Sequence, residues 1–259
     1  MLTRILTALI AMALFIPIVW IGSWPLVIVM TSLAVIGLSE FHNMKKLSLK
    51  SIPALLTLFG VAMIVLSVYF PIIFTVDVFT RTTGLVMVLL FLVSLGRTEL
   101  TTRDIGEMIL MMIYIGIGFY SFVALRFNNL SLLVLVLLVI WATDSGAFLI
   151  GKKIGKTKLA PAISPNKTIE GSVGGTVVAS LLAFVYLIYF PQSDQLISSL
   201  LLMIIISVTG QVGDLLESKI KREYHTKDSG KLLPGHGGIL DRFDSLLLVL
   251  NVLFIMGVV

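Results

Sequence analysis

One polar stretch near the C-terminus, from Ser218 to Asp244, carries most of the side chains able to do chemistry. It lies between two strongly apolar runs. Five basic residues (Lys219, Lys221, Arg222, Lys227 and Lys231) precede Pro234, and the turn Gly235-His236-Gly237-Gly238 follows it. The stretch ends in Asp241 and Asp244, three residues apart. Basic groups bind phosphate oxygens, glycines let backbone approach them closely, and acids hold a hard cation. The combination suits a metal-assisted reaction on phosphates. A loop kept basic only to orient the chain in a membrane accounts for the lysines. It does not account for two acids at the mouth of the next apolar run.

The sequences Asp214-Leu-Leu-Glu217-Ser218 and Asp241-Arg-Phe-Asp244-Ser245 share a pattern. Each has acids at i and i+3 and a hydroxyl at i+4, which lie on one helical face. If the two helices are antiparallel neighbours, these faces gather up to four carboxylates. A hard cation relieves their repulsion, and Mg²⁺ favours one or two carboxylates with waters and substrate phosphates. The competing reading has Lys221, Arg222 and Arg242 neutralise the acids as structural ion pairs.

A second constellation begins at Asp144-Ser145-Gly146 and runs through Gly151-Lys152-Lys153-Ile154-Gly155-Lys156 to Ser164-Pro165-Asn166-Lys167-Thr168. Ser164-Pro165 reads as a helix N-cap with proline at the first helical position. Free amides there, with Lys167 nearby, suit an anion. An ordinary Gly-Lys connector is the plainer alternative. Gly171, Gly174 and Gly175 read as helix-packing residues.

These residues carry a resemblance. The Ser218, Lys221-Arg222, Lys227-Asp228, His236-Gly237-Gly238 and Asp241-Arg242-Phe243-Asp244 pattern resembles the signature of the phosphatidate cytidylyltransferases, or CDP-diacylglycerol synthases. Asp144, the Gly-x-x-x-Gly-Lys loop and Ser164-Pro165-Asn166-Lys167-Thr168 are similar to a second stretch of that family. Phe148 stands where many members have Tyr, and Glu170 matches only loosely. Together the two stretches cover about the C-terminal half. The resemblance implies that CTP and phosphatidate give CDP-diacylglycerol and pyrophosphate, with Mg²⁺ or Mn²⁺, in a homodimer. It implies that Asp214, Asp241, Lys221, Arg222 and Lys227 are catalytic. Asp144, Ser164, Lys167, Ser218, His236, Gly237, Gly238 and Arg242 would bind substrate, and Asp214, Asp241 and Asp244 would ligate metal. Asp214 and Asp241 are expected to act as one unit.

These groups need elements to position them, and composition says which. Of 259 residues, 58% are hydrophobic and 13% charged, against about 25% charged in soluble domains. The mean hydropathy is +1.07. An all-α, polytopic integral membrane protein follows. Nine apolar spans are expected at roughly 5–21, 24–39, 53–70, 79–95, 106–125, 131–150, 171–190, 196–216 and 240–258. They form one membrane domain, with N-terminal helices over roughly 1–105 and a catalytic half over roughly 130–259. Residues 1–21 resemble a signal peptide but lack a small-x-small cleavage site before Trp24, so a retained first helix is expected.

Of 19 Lys and Arg residues, 17 fall in the N-terminus and the loops after even-numbered spans; only Arg81 and Arg126 fall elsewhere. This bias puts the N-terminus and both constellations on the cytoplasmic side of a cell membrane. Asp144, Asp214 and Asp241 then lie at the cytoplasmic ends of spans six, eight and nine, where isolated acids are costly and mark a polar site.

The basic residues sit in loops between spans rather than on one face, so nucleic acid is not an expected partner despite the net charge of +5. Membrane lipids and a nucleotide are. With no cysteine, thiolate chemistry is excluded. A transporter would carry its acids on broken helices at mid-membrane. A lipid-binding scaffold explains basic loops but not paired acids. The His-x-Gly-His motif of soluble nucleotidyltransferases and the Asp-Gly-x-x-Ala-Arg motif of the CDP-alcohol phosphotransferases are absent. His42 and His225 read as interfacial or loop residues. His236, within the glycine turn, reads as a contact to the triphosphate or a support for the turn.

Overall fold

The computed structural model describes residues 2–69, 78–96, 99–193, 195–232, Gly235 and 237–259. Among the described residues the helices are α1 (Leu2–Ile21), α2 (Ser23–Met44), α3 (Ile52–Leu66), α4 (Val78–Leu95), α5 (Thr102–Asn128), α6 (Leu130–Ile154), α7 (Ile169–Tyr189), α8 (Leu196–Glu223) and α9 (Leu240–Ile255). One hairpin, β1 (Lys158–Ala160) with β2 (Ser164–Thr168), separates α6 from α7. Each expected span finds a helix. Six of them (α2, α4, α5, α6, α7 and α8) are long and apolar enough to cross a membrane. The protein is therefore an all-α, multi-pass integral membrane protein. At 15 and 16 residues, α3 and α9 fall short of the roughly 20 that a bilayer core takes. The expected end of span three, at residue 70, lies outside the described residues, as does Arg97.

Several helices outrun their apolar windows. α6 continues to Ile154 and α8 to Glu223. The added residues of α8 include Lys219, Lys221, Arg222 and Glu223, which are good helix formers, and the two basic residues of its last turn complement the helix dipole. Asp214, Glu217, Ser218 and Lys221 thus share one continuous helix.

The chain divides into two compact units. The first comprises Met1–Phe127, Asp228–Arg242 and Leu253–Val259. Its interior includes Leu26, Met30, Leu38, Phe41, Ile64, Met112, Phe119 and Phe122, all fully buried. Lipid tails are as apolar as leucine, so close packing rather than escape from water must hold such helices together. A Cβ on Gly116 would come 3.1 Å from Ile64, so α3 and α5 approach where α5 has no side chain. Lys45, just past α2, pairs with Asp104 at 2.6 Å and Glu107 at 2.5 Å on α5. Burial pulls the Lys45 pKa down, but hydrogen bonds to the two acids outweigh it, and the net shift is upward. Arg126 donates to the carbonyls of Val19 at 2.5 Å and Trp20 at 2.6 Å, closing the C-terminal end of α1. His42 is not interfacial: it is wholly buried, with Nε2 3.2 Å from Thr57 Oγ1. That pairing joins α2 to α3 and gives the ring a polar neighbour inside the bundle.

The second unit comprises Asn128–Lys227 and Phe243–Val252. α6 and α7 pack against each other along a seam of small residues. A Cβ on Gly175 would lie 2.5 Å from the Thr143 carbonyl oxygen, and one on Gly171 2.7 Å from that of Ala147. Gly171, Gly174 and Gly175 are the packing residues the sequence suggests.

The start of α7 corrects the sequence reading. Ser164-Pro165 does not open the helix; it lies in β2, where Ala160 pairs with Ser164 and Lys158 with Thr168. Proline disfavours the helical region for the residue before it, and an edge strand tolerates its missing N–H. Thr168 is the true cap, accepting from the Gly171 N–H at 3.2 Å. Glu170 in the first turn accepts from the backbone of Lys156 at 3.0 Å and Thr157 at 3.1 Å, closing the base of the hairpin.

Candidate active site

The second unit holds a pocket of about 400 Å³, within the usual range for ligand sites. Asp144 from α6, Lys167 from β2, and Gln211 and Asp214 from α8 supply polar groups to its wall; Ala147, Phe148 and Leu159 supply apolar surface. The hairpin, unforeseen in sequence, is what presents Lys167 to the helices. Lys167 Nζ lies 2.5 Å from Asp214 Oδ2. Ser218, one turn on, donates to Asp214 Oδ1 at a long 3.4 Å. Behind the pocket runs a polar chain: Thr143 Oγ1 is 2.8 Å from Ser207 Oγ, Ser207 reaches Thr176 at 3.1 Å, and Gln211 donates to Thr176 at 3.0 Å.

Asp144 and Asp214 are near enough to repel each other. Asp244 on α9 joins them electrostatically, facing the charges of Asp214, Asp144 and Lys221. Close approach of α8 and α9 permits this, since a Cβ on Gly213 would lie 2.7 Å from the Asp244 carbonyl oxygen. Lys221 does not supply a fully available charge. Its Nζ is 2.5 Å from Glu217 Oε2, and both side chains are largely buried. As carboxylates, Asp144, Asp214, Asp244 and Glu217 outnumber Lys152, Lys167 and Lys221 by one, so this corner of the unit is short of positive charge.

That imbalance is the test of fit for a divalent ion. Oxygen donors of this kind suit Mg²⁺ or Mn²⁺. Among the described residues, no three acidic or histidine side chains already converge as a ligand set. Asp144, Asp214 and Asp244 fit the cation by donor chemistry and by charge.

Asp241 belongs to the first unit and has different company. Its Oδ2 accepts from Ser229 N at 2.9 Å, Ser229 Oγ at 2.9 Å and Gly238 N at 2.8 Å. Two backbone N–H groups and a hydroxyl shared with Glu40 converge on this one oxygen and fix its position. Gly237 has φ +83°, a conformation side chains seldom adopt, and a Cβ there would lie against Asp241 Oδ2. Glu40 of α2 accepts from Ser229 Oγ, Ile239 N and Leu240 N in the same cluster.

The family model described as "Cytidylyltransferase family" matches residues 2–259. This chain belongs to the cytidylyltransferase family. Its relatives in that family include a protein of Bacillus subtilis (strain 168) named phosphatidate cytidylyltransferase, 40% identical over 258 residues, 98% of this chain and 96% of the relative. A protein of the same name from Staphylococcus haemolyticus (strain JCSC1435) is 38% identical, covering 99% of this chain and 98% of its own. One from Staphylococcus aureus (strain COL), again so named, is 39% identical with the same coverage. The cytidylyltransferase kinship spans both units, including the N-terminal helices.

The remaining candidate residues distribute as follows. Arg222, Lys227 and Arg242 are exposed. Ser164 is half-buried in β2. Gly238 belongs to the Asp241 cluster through its N–H. His236 lies outside the described residues. The structure adds Glu40, Ser229 and Gln211, which the sequence reading does not single out. Glu40 carries the same signal as Asp144 and Asp214, an acid within an apolar run. Its partner Ser229, 189 residues away, does not follow from spacing.

Proposed function

We propose that this chain transfers the cytidylyl group of CTP to phosphatidate, giving CDP-diacylglycerol and pyrophosphate. The observation that carries the reading is the pocket in which Lys167 meets Asp214 beside Asp144, with Asp244 of α9 near enough to interact with both acids. Full-length kinship with relatives named for this activity supports it.

A phosphate oxygen of phosphatidate attacks the α-phosphorus of CTP. The bond between the α-phosphorus and the bridging oxygen breaks in line, and pyrophosphate departs with the electron pair. The nucleophile is already an anion, so the site needs no general base. It must align two anions and neutralise charge at the reacting phosphorus. Lys167 does this by leaving Asp214 for a phosphate oxygen. Arg222, Lys227 and Arg242, exposed at helix and loop ends, are assigned to phosphates, and Lys221 joins them while Glu217 orients it. The N–H of Gly237 and the hydroxyls of Ser164 and Ser218 are assigned to substrate oxygens, while the Gly238 N–H holds Asp241. Asp214, Asp244 and Asp144 would hold Mg²⁺ or Mn²⁺, which would supply charge neutralisation at the phosphates. Asp241 enters this set from its motif alone.

One substrate is a lipid and the other is soluble, so the reaction belongs at a membrane–water boundary. The charge bias assigns it to the cytoplasmic face of the cell membrane. A homodimer is the assembly that the family resemblance implies.

The test is pyrophosphate release by the purified protein in detergent. Release from CTP should require phosphatidate and should not occur with diacylglycerol, which lacks the attacking phosphate. Equal release without phosphatidate would contradict the reading.

A further inference from the structure

We infer that Glu40, on α2, is a positioning residue for the reaction, holding the 228–242 segment so that the Asp241 carboxylate keeps one orientation. The inference rests on the proposed function, in which Asp241 and the Gly237-Gly238 turn serve catalysis.

Glu40 is 5% exposed, inside a helix apolar enough to cross a membrane. A buried carboxylate is costly unless donors surround it. Its three hydrogen bonds all go to the motif segment. Oε1 accepts from Ile239 N at 2.8 Å; Oε2 accepts from Leu240 N at 3.0 Å and from Ser229 Oγ at 3.0 Å. The two amides open α9, where backbone donors have no partner within the helix and an anion complements the dipole.

Ser229 links this acid to Asp241. Its hydroxyl lies 3.0 Å from Glu40 Oε2 and 2.9 Å from Asp241 Oδ2, and it receives the Asp241 N–H at 3.3 Å. The single hydroxyl proton is shared between the two carboxylate oxygens, so both are held against the same Ser229 oxygen. The backbone wraps the Glu40 carboxylate closely: a Cβ on Gly230 would fall 2.5 Å from Oε1, and one on Gly238 would fall against Oε2. Glycine at both positions is what lets the segment close around this side chain. The chain Glu40–Ser229–Asp241 therefore runs from α2 through the loop to α9, and removing its first member should release its last.

The test uses the full-length protein in detergent, with Glu40→Gln, Ser229→Ala, Asp241→Asn and the Glu40→Gln/Ser229→Ala double variant. An amide in place of Glu40 turns an NH₂ toward N–H and O–H donors. Charge-assisted hydrogen bonds are at stake, so Glu40→Gln should lower kcat by at least about tenfold while the KM for CTP stays within about threefold. Hydrogen exchange within 228–242 should accelerate by at least about tenfold, with little change in the helix cores. The double variant should lose only about as much kcat as the worse single, because the two residues act in series.

Wild-type kcat in Glu40→Gln, or a loss accompanied by exchange rising throughout the protein, would overturn the inference. If Glu40→Gln does not accumulate in membranes, Ser229→Ala decides alone: a lower kcat with faster local exchange supports the chain, and full activity overturns it. Asp241→Asn separates the two levels. An inactive Asp241→Asn beside a fully active Glu40→Gln removes this inference only. A fully active Asp241→Asn removes the catalytic assignment of Asp241, and the inference falls with it.

Discussion

Lys167 Nζ stands 2.5 Å from Asp214 Oδ2, joining a strand residue to a helix residue in the wall of the pocket. The sequence assigns Lys167 to phosphate and Asp214 to a metal ion. Each neutralises the other. Under the proposed function, anionic substrate would draw the lysine away and a cation would take its place at the acid.

Lys167→Met should therefore weaken CTP use. A hydrogen bond to a charged group contributes about 1.5–3 kcal/mol, so kcat/KM for CTP should fall roughly tenfold to a hundredfold. Lys167→Arg, which keeps the charge, should lose less. Steady-state kinetics in mixed micelles measure this, and an unchanged kcat/KM in Lys167→Met would make the ion pair structural.

Asp214 and Asp244 should behave as one electrostatic unit. Asp214→Asn and Asp244→Asn keep size and remove charge, and each should lower turnover by roughly a hundredfold or more. The double variant should be little worse than either single. Losses that simply multiply in a double-mutant cycle would mean that the two acids act independently.

Removal of divalent metal should abolish turnover. After stripping with excess chelator, activity should return with Mg²⁺ or Mn²⁺ and not with Na⁺. Full turnover in the stripped protein would show that the acids serve another purpose.

At Gly175 the α6–α7 seam leaves no room for a side chain. A Cβ on Gly175 would lie 2.5 Å from the Thr143 carbonyl oxygen. Gly175→Ala should lower stability by about 1–3 kcal/mol, the usual cost of forcing extra atoms into a packed contact. It should reduce activity less than Asp214→Asn does. A thermal midpoint equal to wild type in the same detergent would contradict the tight crossing.

The spans were legible in sequence because long apolar runs in a 58% hydrophobic chain have few alternatives to helix. The acids of α8 and α9 were legible because helical spacing puts Asp214 and Ser218, or Asp241 and Ser245, on one face. The hairpin was not. Three and five residues are too short for strand alternation to show, and Ser164-Pro165 fits a helix start equally well in isolation. Partner choice was legible only locally. Lys221 meets Glu217 four residues away, as the competing ion-pair reading has it, whereas Glu40 meets Ser229 across 189 residues. Hydrophobic patterning records which face is apolar but not which polar group a distant loop will bring.

The two ends of the positive-charge bias should lie on opposite sides of the membrane. The chain has no cysteine, so single-cysteine variants can be made directly. Arg81→Cys and Lys156→Cys should react with an impermeant thiol reagent from opposite faces of oriented vesicles. Reaction from the same face would contradict the topology.

Under the proposed function this chain moves a cytidylyl group from CTP onto a lipid phosphate. The direct measurement compares CTP labelled at the α-phosphorus with CTP labelled at the γ-phosphorus, using purified protein, phosphatidate and Mg²⁺. The α label should enter a chloroform-soluble lipid only when phosphatidate is present. The γ label should stay in water as pyrophosphate, and Asp214→Asn should lose the lipid signal. A γ label in the lipid, or no lipid label from either nucleotide with well-folded protein, would contradict it.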